Sequence, residues 1–217
     1  MKRTSLIAFL MIAAVTGLVA EDAKLAFNWA FVKQAADGSA VPIDFKERVN
    51  IVPGDLFKIH IQPIQNAFVY LFLQEANGDL DLLFPASFDV FEGHAYQQTP
   101  FFIPEGDDWF TLDNAKGTER FTLIASTARL KQLEALVLAF QKTAANTQST
   151  AAAKSAAQQA VLDEIARLRK EHSQLAVAAE KPVTIAGGTR GINATVQKMA
   201  TRIEATGFYY KLFRLEH

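Results

Sequence analysis

The stretch NAFVYLFLQEANGDLDLLF, Asn66 to Phe84, decides the fold. Phe68, Val69, Tyr70, Leu71, Phe72 and Leu73 follow one another without a polar residue. In an extended chain successive side chains point to opposite faces, so Phe68, Tyr70 and Phe72 share one face and Val69, Leu71 and Leu73 the other. Neither face can meet water cheaply, which predicts an interior strand of a sheet covered on both sides. Ala76-Asn77-Gly78-Asp79 separates this run from the next, and Asn-Gly between two apolar runs is a strong hairpin signal because both residues tolerate positive φ. Asp79 to Phe84 is the expected return strand, stopping at Pro85.

The flanking segments carry the same signature in weaker form. In LAFNWAFVK, Leu25, Phe27, Trp29 and Phe31 alternate with smaller or polar residues and share one face. After turns at Ala35 to Ser39 and Pro53-Gly54-Asp55, Phe57, Ile59 and Ile61 point one way while Lys58, His60 and Gln62 point the other, so one face of that strand is expected to be buried and the other wet. Short strands are predicted over Thr99 to Ile103, Asp108 to Leu112 and Glu119 to Ser126, separated by turns at Pro104-Glu105-Gly106 and Asn114 to Gly117. The final stretch, ATGFYYKLFRLEH, reads as one long closing strand with Phe208, Tyr210 and Leu212 on one side and Tyr209, Phe213 and Leu215 on the other.

Composition changes abruptly between these regions. From Thr127 to about Ala179, Phe140 is the one aromatic and neither Gly nor Pro occurs, while Ala, Gln, Lys and Glu dominate. Leu130, Leu133, Val137 and Phe140 make one narrow apolar stripe at helical spacing, and Val161, Ile165 and Leu168 make a second that continues to His172 and Leu175. Asn146 to Thr150 is the weakest helical point, which favours an αα-hairpin over one uninterrupted rod. The predicted class is therefore α+β: an antiparallel β-sandwich or partly open barrel with a long αα-hairpin, about 128–180, inserted before the last strands.

The first twenty residues have the form of a removable leader. Lys2 and Arg3 precede an apolar run from Leu6 to Val19, with cleavage expected after Ala20, which leaves 21–217 as a single β-rich domain. The apolar run is short for a bilayer span of roughly 20 residues, so no integral span is expected once the leader is gone. Without Lys2 and Arg3, the 22 basic residues fall to 20 against 23 acidic ones. That balance excludes the electrostatic footprint of a nucleic-acid binder and of a polybasic membrane anchor. The chain has no cysteine, so its stability has to come from an apolar core rather than disulfides.

No catalytic signature emerges. Asp79-Leu80-Asp81 lacks the spaced oxygen ligands of a calcium loop and reads as ordinary strand alternation. Glu105, Asp107 and Asp108 form an acidic turn. His60, His94, His172 and His217 are scattered without zinc-ligand spacing. Ser87, Ser126 and Ser173 lack a nucleophile-elbow context. The glycine-rich IAGGTRG, Ile185 to Gly191, matches no phosphate-binding pattern; Gly187, Gly188 and Gly191 read as a structural turn that Arg190 helps to fix. Neither cofactor nor metal is expected.

GDLFKIHI (Gly54 to Ile61), VYLFLQEANGDLDLLFP (Val69 to Pro85), IPEGDDWFTLDNAKGTERFTLIAS (Ile103 to Ser126) and KPVTIAGGTRG (Lys181 to Gly191) together resemble the domain of unknown function 4384, a family of bacterial exported and cell-envelope proteins. The resemblance implies a β-rich domain with no established reaction. It also implies that Gly78, Phe84, Pro85, Ile103, Pro104, Asp113, Gly117 and Glu119 are turn and core positions.

The sequence thus points to a non-catalytic protein of the bacterial periplasm or cell envelope, acting as a protein-interaction or structural module. Its partner would be another envelope protein or a second copy of the chain. The expected contact surface is the helical hairpin, through Leu130, Leu133, Val137, Phe140, Val161, Ile165 and Leu168. The alternative is a carbohydrate or cell-wall ligand-binding domain using Trp29, Tyr96, Trp109 or Tyr209 as stacking platforms.

Overall fold

The computed structural model describes residues 23–45, 49, 51–111, 116–175, 177–183 and 200–216. The expected leader at residues 1–20 and the turn containing Gly187, Gly188, Arg190 and Gly191 lie outside the described residues, as do Asp113 and His217.

Period-two alternation builds a first sheet. Lys24–Gln34 (β1) buries Leu25, Phe27, Trp29 and Phe31 on one face, as expected. Ala40–Pro42 (β2) folds back on its end, and Leu56–Gln65 (β3) pairs along its length, with Ile59 opposite Phe31 and Ile61 opposite Trp29. Phe68–Gln74 (β4) and Leu80–Phe84 (β5) form the hairpin read from the opening stretch. Only Gly78 of its turn adopts positive φ, at 95°; the Gly78 N–H donates to the Glu75 carbonyl, so Asn77 needs no left-handed conformation.

A 3-10 helix, Phe88–Glu92, leads to Phe101–Ile103 (β6), Phe110–Thr111 (β7) and Thr118–Ser126 (β8). Lys131–Ala145 (α1) and Ala151–Glu171 (α2) follow, then Ala179–Val183 (β9), Ala200–Thr206 (β10) and Phe208–Glu216 (β11). One sheet runs β6-β3-β1-β10-β9, with β2 also on β1 and β7 also on β3; the other runs β11-β8-β4-β5, and neither closes into a barrel. The fold is α+β, with every strand pair antiparallel.

Aromatic rings lock the inner faces of the two sheets together. Phe31 meets Phe121 at 5.1 Å between centroids, Trp29 meets Phe213 at 4.5 Å and Phe27 meets Tyr209 at 5.5 Å. Each fully buried side chain of this size contributes roughly 1.5–3 kcal/mol through the area it removes from water. β4 is interior to its sheet, between β8 and β5, with Val69, Tyr70, Leu71 and Phe72 at most 1% exposed. Its double-sided burial is explained by a third layer. Val69 and Leu71 face the first sheet, while Tyr70 meets Phe91 at 5.3 Å and Phe72 borders α2 on the opposite side.

Two expectations are corrected. The outer face of β3 is not wet: Lys58 and His60 are 1% and 0% exposed. The segment after β6 folds over it, the Lys58 ammonium donating to the Gly106 carbonyl at 2.6 Å beneath the Trp109 ring, while His60 packs on Phe102 at 4.9 Å. The C-terminal stretch is also divided. Ala205 and Thr206 end β10 in the first sheet, the chain crosses at Gly207, and Phe208 starts β11 in the second, with the predicted alternation preserved from there on.

The helical hairpin bends where its weakest residues lie. Asn146 caps the end of α1, and the Thr150 hydroxyl accepts from the Ala153 N–H at 3.2 Å to start α2. α1 has no side-chain cap of its own, so the sheet supplies one. The Tyr70 hydroxyl accepts from the Leu130 N–H at 3.0 Å and donates to Glu134 Oε1 at 2.7 Å. Arg129 grips the same carboxylate with two nitrogens at 3.0 and 2.6 Å. Burial alone would raise the Glu134 carboxyl, but hydrogen bonds from Arg129 and Tyr70 outweigh it and hold the group below the usual carboxylate range. Burial pushes the Tyr70 phenol up, so it stays a neutral donor.

Candidate functional site

Leu162, Ile165, Ala166, Arg169, Lys170 and Ser173 recur along one side of α2 at intervals of three and four residues, so they face one direction. They overhang the outer face of the second sheet, where alternation presents Tyr210 and Leu212 from β11, Arg120 and Thr122 from β8, Phe72 and Gln74 from β4, and Leu80 from β5. The result is a cleft of about 440 Å³ with an apolar floor. A second hollow of about 420 Å³, sharing Arg169, Ser173 and Tyr210 with the first, extends it past His172 and Leu175 to Val177, which is 99% exposed.

The charges of the first hollow are one-sided, while the extension holds Glu180, already paired with Lys211. Among the described residues the lining of the first hollow holds Arg120, Arg169 and Lys170 and no Asp or Glu. The Arg169 guanidinium lies 5.2 Å from the Tyr210 ring centroid, and none of the three cations makes an ion pair with a described residue. Some cations elsewhere are paired: Lys33 with Asp55, Lys181 with Glu204, Lys211 with Glu180, and Arg167 with Glu164 and Glu171. Hydrogen bonding to Glu164 raises the Arg167 guanidinium further.

The residues expected at a partner surface lie elsewhere. Leu133, Val137, Val161, Ile165 and Leu168 are buried in the protein's own core, with Leu130 and Phe140 half-buried against it. The two stripes meet the outer face of the second sheet as well as each other, and only Ile165 also borders the cleft. Trp29, Tyr96 and Tyr209 are buried; the Tyr209 hydroxyl donates to Glu180 at 3.2 Å, and burial raises its phenol. Trp109 is half-buried over Lys58. His172 stacks on Phe208 at 4.2 Å, packing by its ring. Among the described residues no cluster of three or more His, Cys, Asp or Glu side chains is arranged to hold a metal ion, and no helix is long and apolar enough to cross a membrane.

Residues 51–129, which run from just before β3 to just after β8, match the family described as Domain of unknown function (DUF4384). That segment resembles a DUF4384 domain. The family resemblance read from the sequence holds over this stretch. Comparison with curated proteins and with solved structures gave no match. The DUF4384 segment contributes Phe72, Gln74, Leu80, Arg120 and Thr122 to the cleft, while α2 and β11, which lie outside it, contribute the opposing wall. Sequence reasoning missed this site. Arg120, Arg169 and Lys170 look like solvated charges in linear sequence, and only the lie of α2 across β8 brings them over one floor.

Proposed function

We propose that the chain is an exported, non-catalytic protein-interaction module of the bacterial cell envelope, and that it holds its partner in the cleft between α2 and β11. The observation that carries this reading is the cleft itself: an apolar floor under three cations that make no ion pair among the described residues. A hydrophobic centre with a polar rim is the usual anatomy of an interaction surface. Burial of the hairpin stripe moves the reading away from the helix faces first expected to bind, because those side chains already have partners within the chain. Export is supported by the basic and apolar pattern of the first twenty residues. The carbohydrate alternative has less support, since Trp29, Tyr96 and Tyr209 offer no open ring face.

Site-specific photocrosslinking in cells that express the chain natively tests the reading. A photoreactive phenylalanine analogue replaces Ser173 in the cleft or, as a control, Thr147 at the hairpin tip. Adducts with another polypeptide are expected from position 173 and not from 147. Adducts from 147 alone move the surface to the hairpin, and none from either position refutes the interaction module.

A further inference from the structure

We propose that the segment held in this cleft is acidic, with carboxylates spaced among apolar side chains; the proposal rests on the interaction reading above. Arg120 on β8 and Arg214 on β11 stand directly opposite each other in the strand register. Opposed side chains on an antiparallel pair have Cβ atoms about 4.5–5.5 Å apart, and like charges in that arrangement destabilise the sheet. Neither arginine makes an ion pair with a described residue. The next carboxylate on this face of β11, Glu216, stands opposite Thr118, two residues further along.

Arg169 and Lys170 bring two more cations from the last turn of α2. The carbonyl end of a helix favours cations, which gives the α2 pair a reason of its own. The strand pair has none, and a bound carboxylate would supply its missing counter-charge. In a chain with a formal charge of −1, the three cations of a lining that holds no carboxylate among the described residues, with Arg214 beside Arg120 in the strand register, form a local excess. Guanidinium forks match carboxylates in a two-point geometry.

The floor sets the rest of the ligand's chemistry. Leu162, Tyr210 and Leu212, all half-buried, and the exposed Ala166 would stay uncovered beneath a wholly polar anion, so the ligand carries apolar side chains as well. Between Leu162 and Ser173 the trough follows α2 for about 16 Å at the helical rise. That is the reach of about five extended residues. An extended polypeptide alternating acidic and apolar side chains satisfies the charge, the floor and the length together.

Fluorescence anisotropy with the purified full chain and three labelled octapeptides provides the test: alternating Glu and Leu, alternating Gln and Leu, and alternating Lys and Leu. The Glu peptide is expected to bind about tenfold tighter than the Gln peptide, with an affinity that falls as salt rises, and the Lys peptide is expected not to bind. The double variant R120Q/R214Q should weaken the Glu peptide about tenfold and K142Q, on the hairpin, should leave it unchanged. R214Q alone should also raise Tm by about 1–3 °C by removing the like-charge pair. Equal binding of the Glu and Gln peptides, indifference to R120Q/R214Q, or binding to anionic phospholipid vesicles in place of any peptide would overturn the proposal. Crosslinks from position 173 would survive each of those failures, whereas their absence removes the reading beneath it.

Discussion

Acidification from pH 7 to pH 4 is expected to withdraw stability through the His60 ring. Burial lowers its pKa from the ordinary 6.5 to about 4, outweighing the opposing effect of the Phe101 backbone. The folded state therefore resists a proton that the unfolded chain accepts. Stability from this group is full above pH 6.5, falls as pH drops through the interval, and is lost once pH reaches the folded value. A gap of 6.5 to about 4 at 1.36 kcal/mol per unit amounts to about 3 kcal/mol. Carboxylates held below their usual range, such as Glu134, also withdraw stability as pH falls, so the ring is isolated by comparison with His60→Leu, which removes the proton site and fills the space with an apolar group. Urea unfolding of both proteins at pH 7, 6, 5 and 4 reads the difference. The wild type should lose about 3 kcal/mol more than the variant between pH 7 and 4, and at pH 7 the variant should be no less stable. Parallel stability profiles would refute the reasoning.

Two further predictions concern the joints between layers. Tyr70→Phe removes the hydroxyl that serves both the Leu130 N–H and Glu134 Oε1, so urea unfolding should show a loss of about 2–3 kcal/mol, and a cost under about 0.5 kcal/mol would mean that this network does not hold α1 to the sheet. A Cβ on Gly117 would collide with the Ala76 methyl in the β4–β5 turn. Gly117→Ala should therefore cost about 1–3 kcal/mol, with much of it recovered in the double variant Ala76→Gly/Gly117→Ala; purely additive costs in a double-mutant cycle would show that the two residues do not meet.

What could be read in advance was whatever a single segment decides by itself. Phe68 to Leu73 fixed an interior strand because both of its faces are apolar, and Asn146 to Thr150 fixed the hairpin bend because Asn and Thr prefer caps to helix interiors. The family resemblance was legible in motifs of which those from Gly54 to Ser126 fall inside the matched segment, while KPVTIAGGTRG, Lys181 to Gly191, falls outside it. Burial of Lys58 and His60 was not, since it depends on residues more than forty positions downstream that fold over them. β10 escaped because ATRIEAT carries only Ile203 and the small Ala200 and Ala205 against polar neighbours, too faint an alternation to stand out. The cleft escaped for the same reason on a larger scale: Arg120 and Arg169 are far apart in the chain and look like ordinary surface residues until α2 lies across β8.

The strand order has a practical consequence for anyone trimming the gene to its recognisable portion. β3 leans on β1 and β8 leans on β11, and both neighbours fall outside residues 51–129. Excising that portion would leave two raw sheet margins bearing unsatisfied backbone groups and a bare aromatic interior, a recipe for insoluble aggregates. The span that heredity marks out is thus narrower than the span that must fold cooperatively, and truncations should keep β1 and β11 even though neither belongs to the recognised family segment.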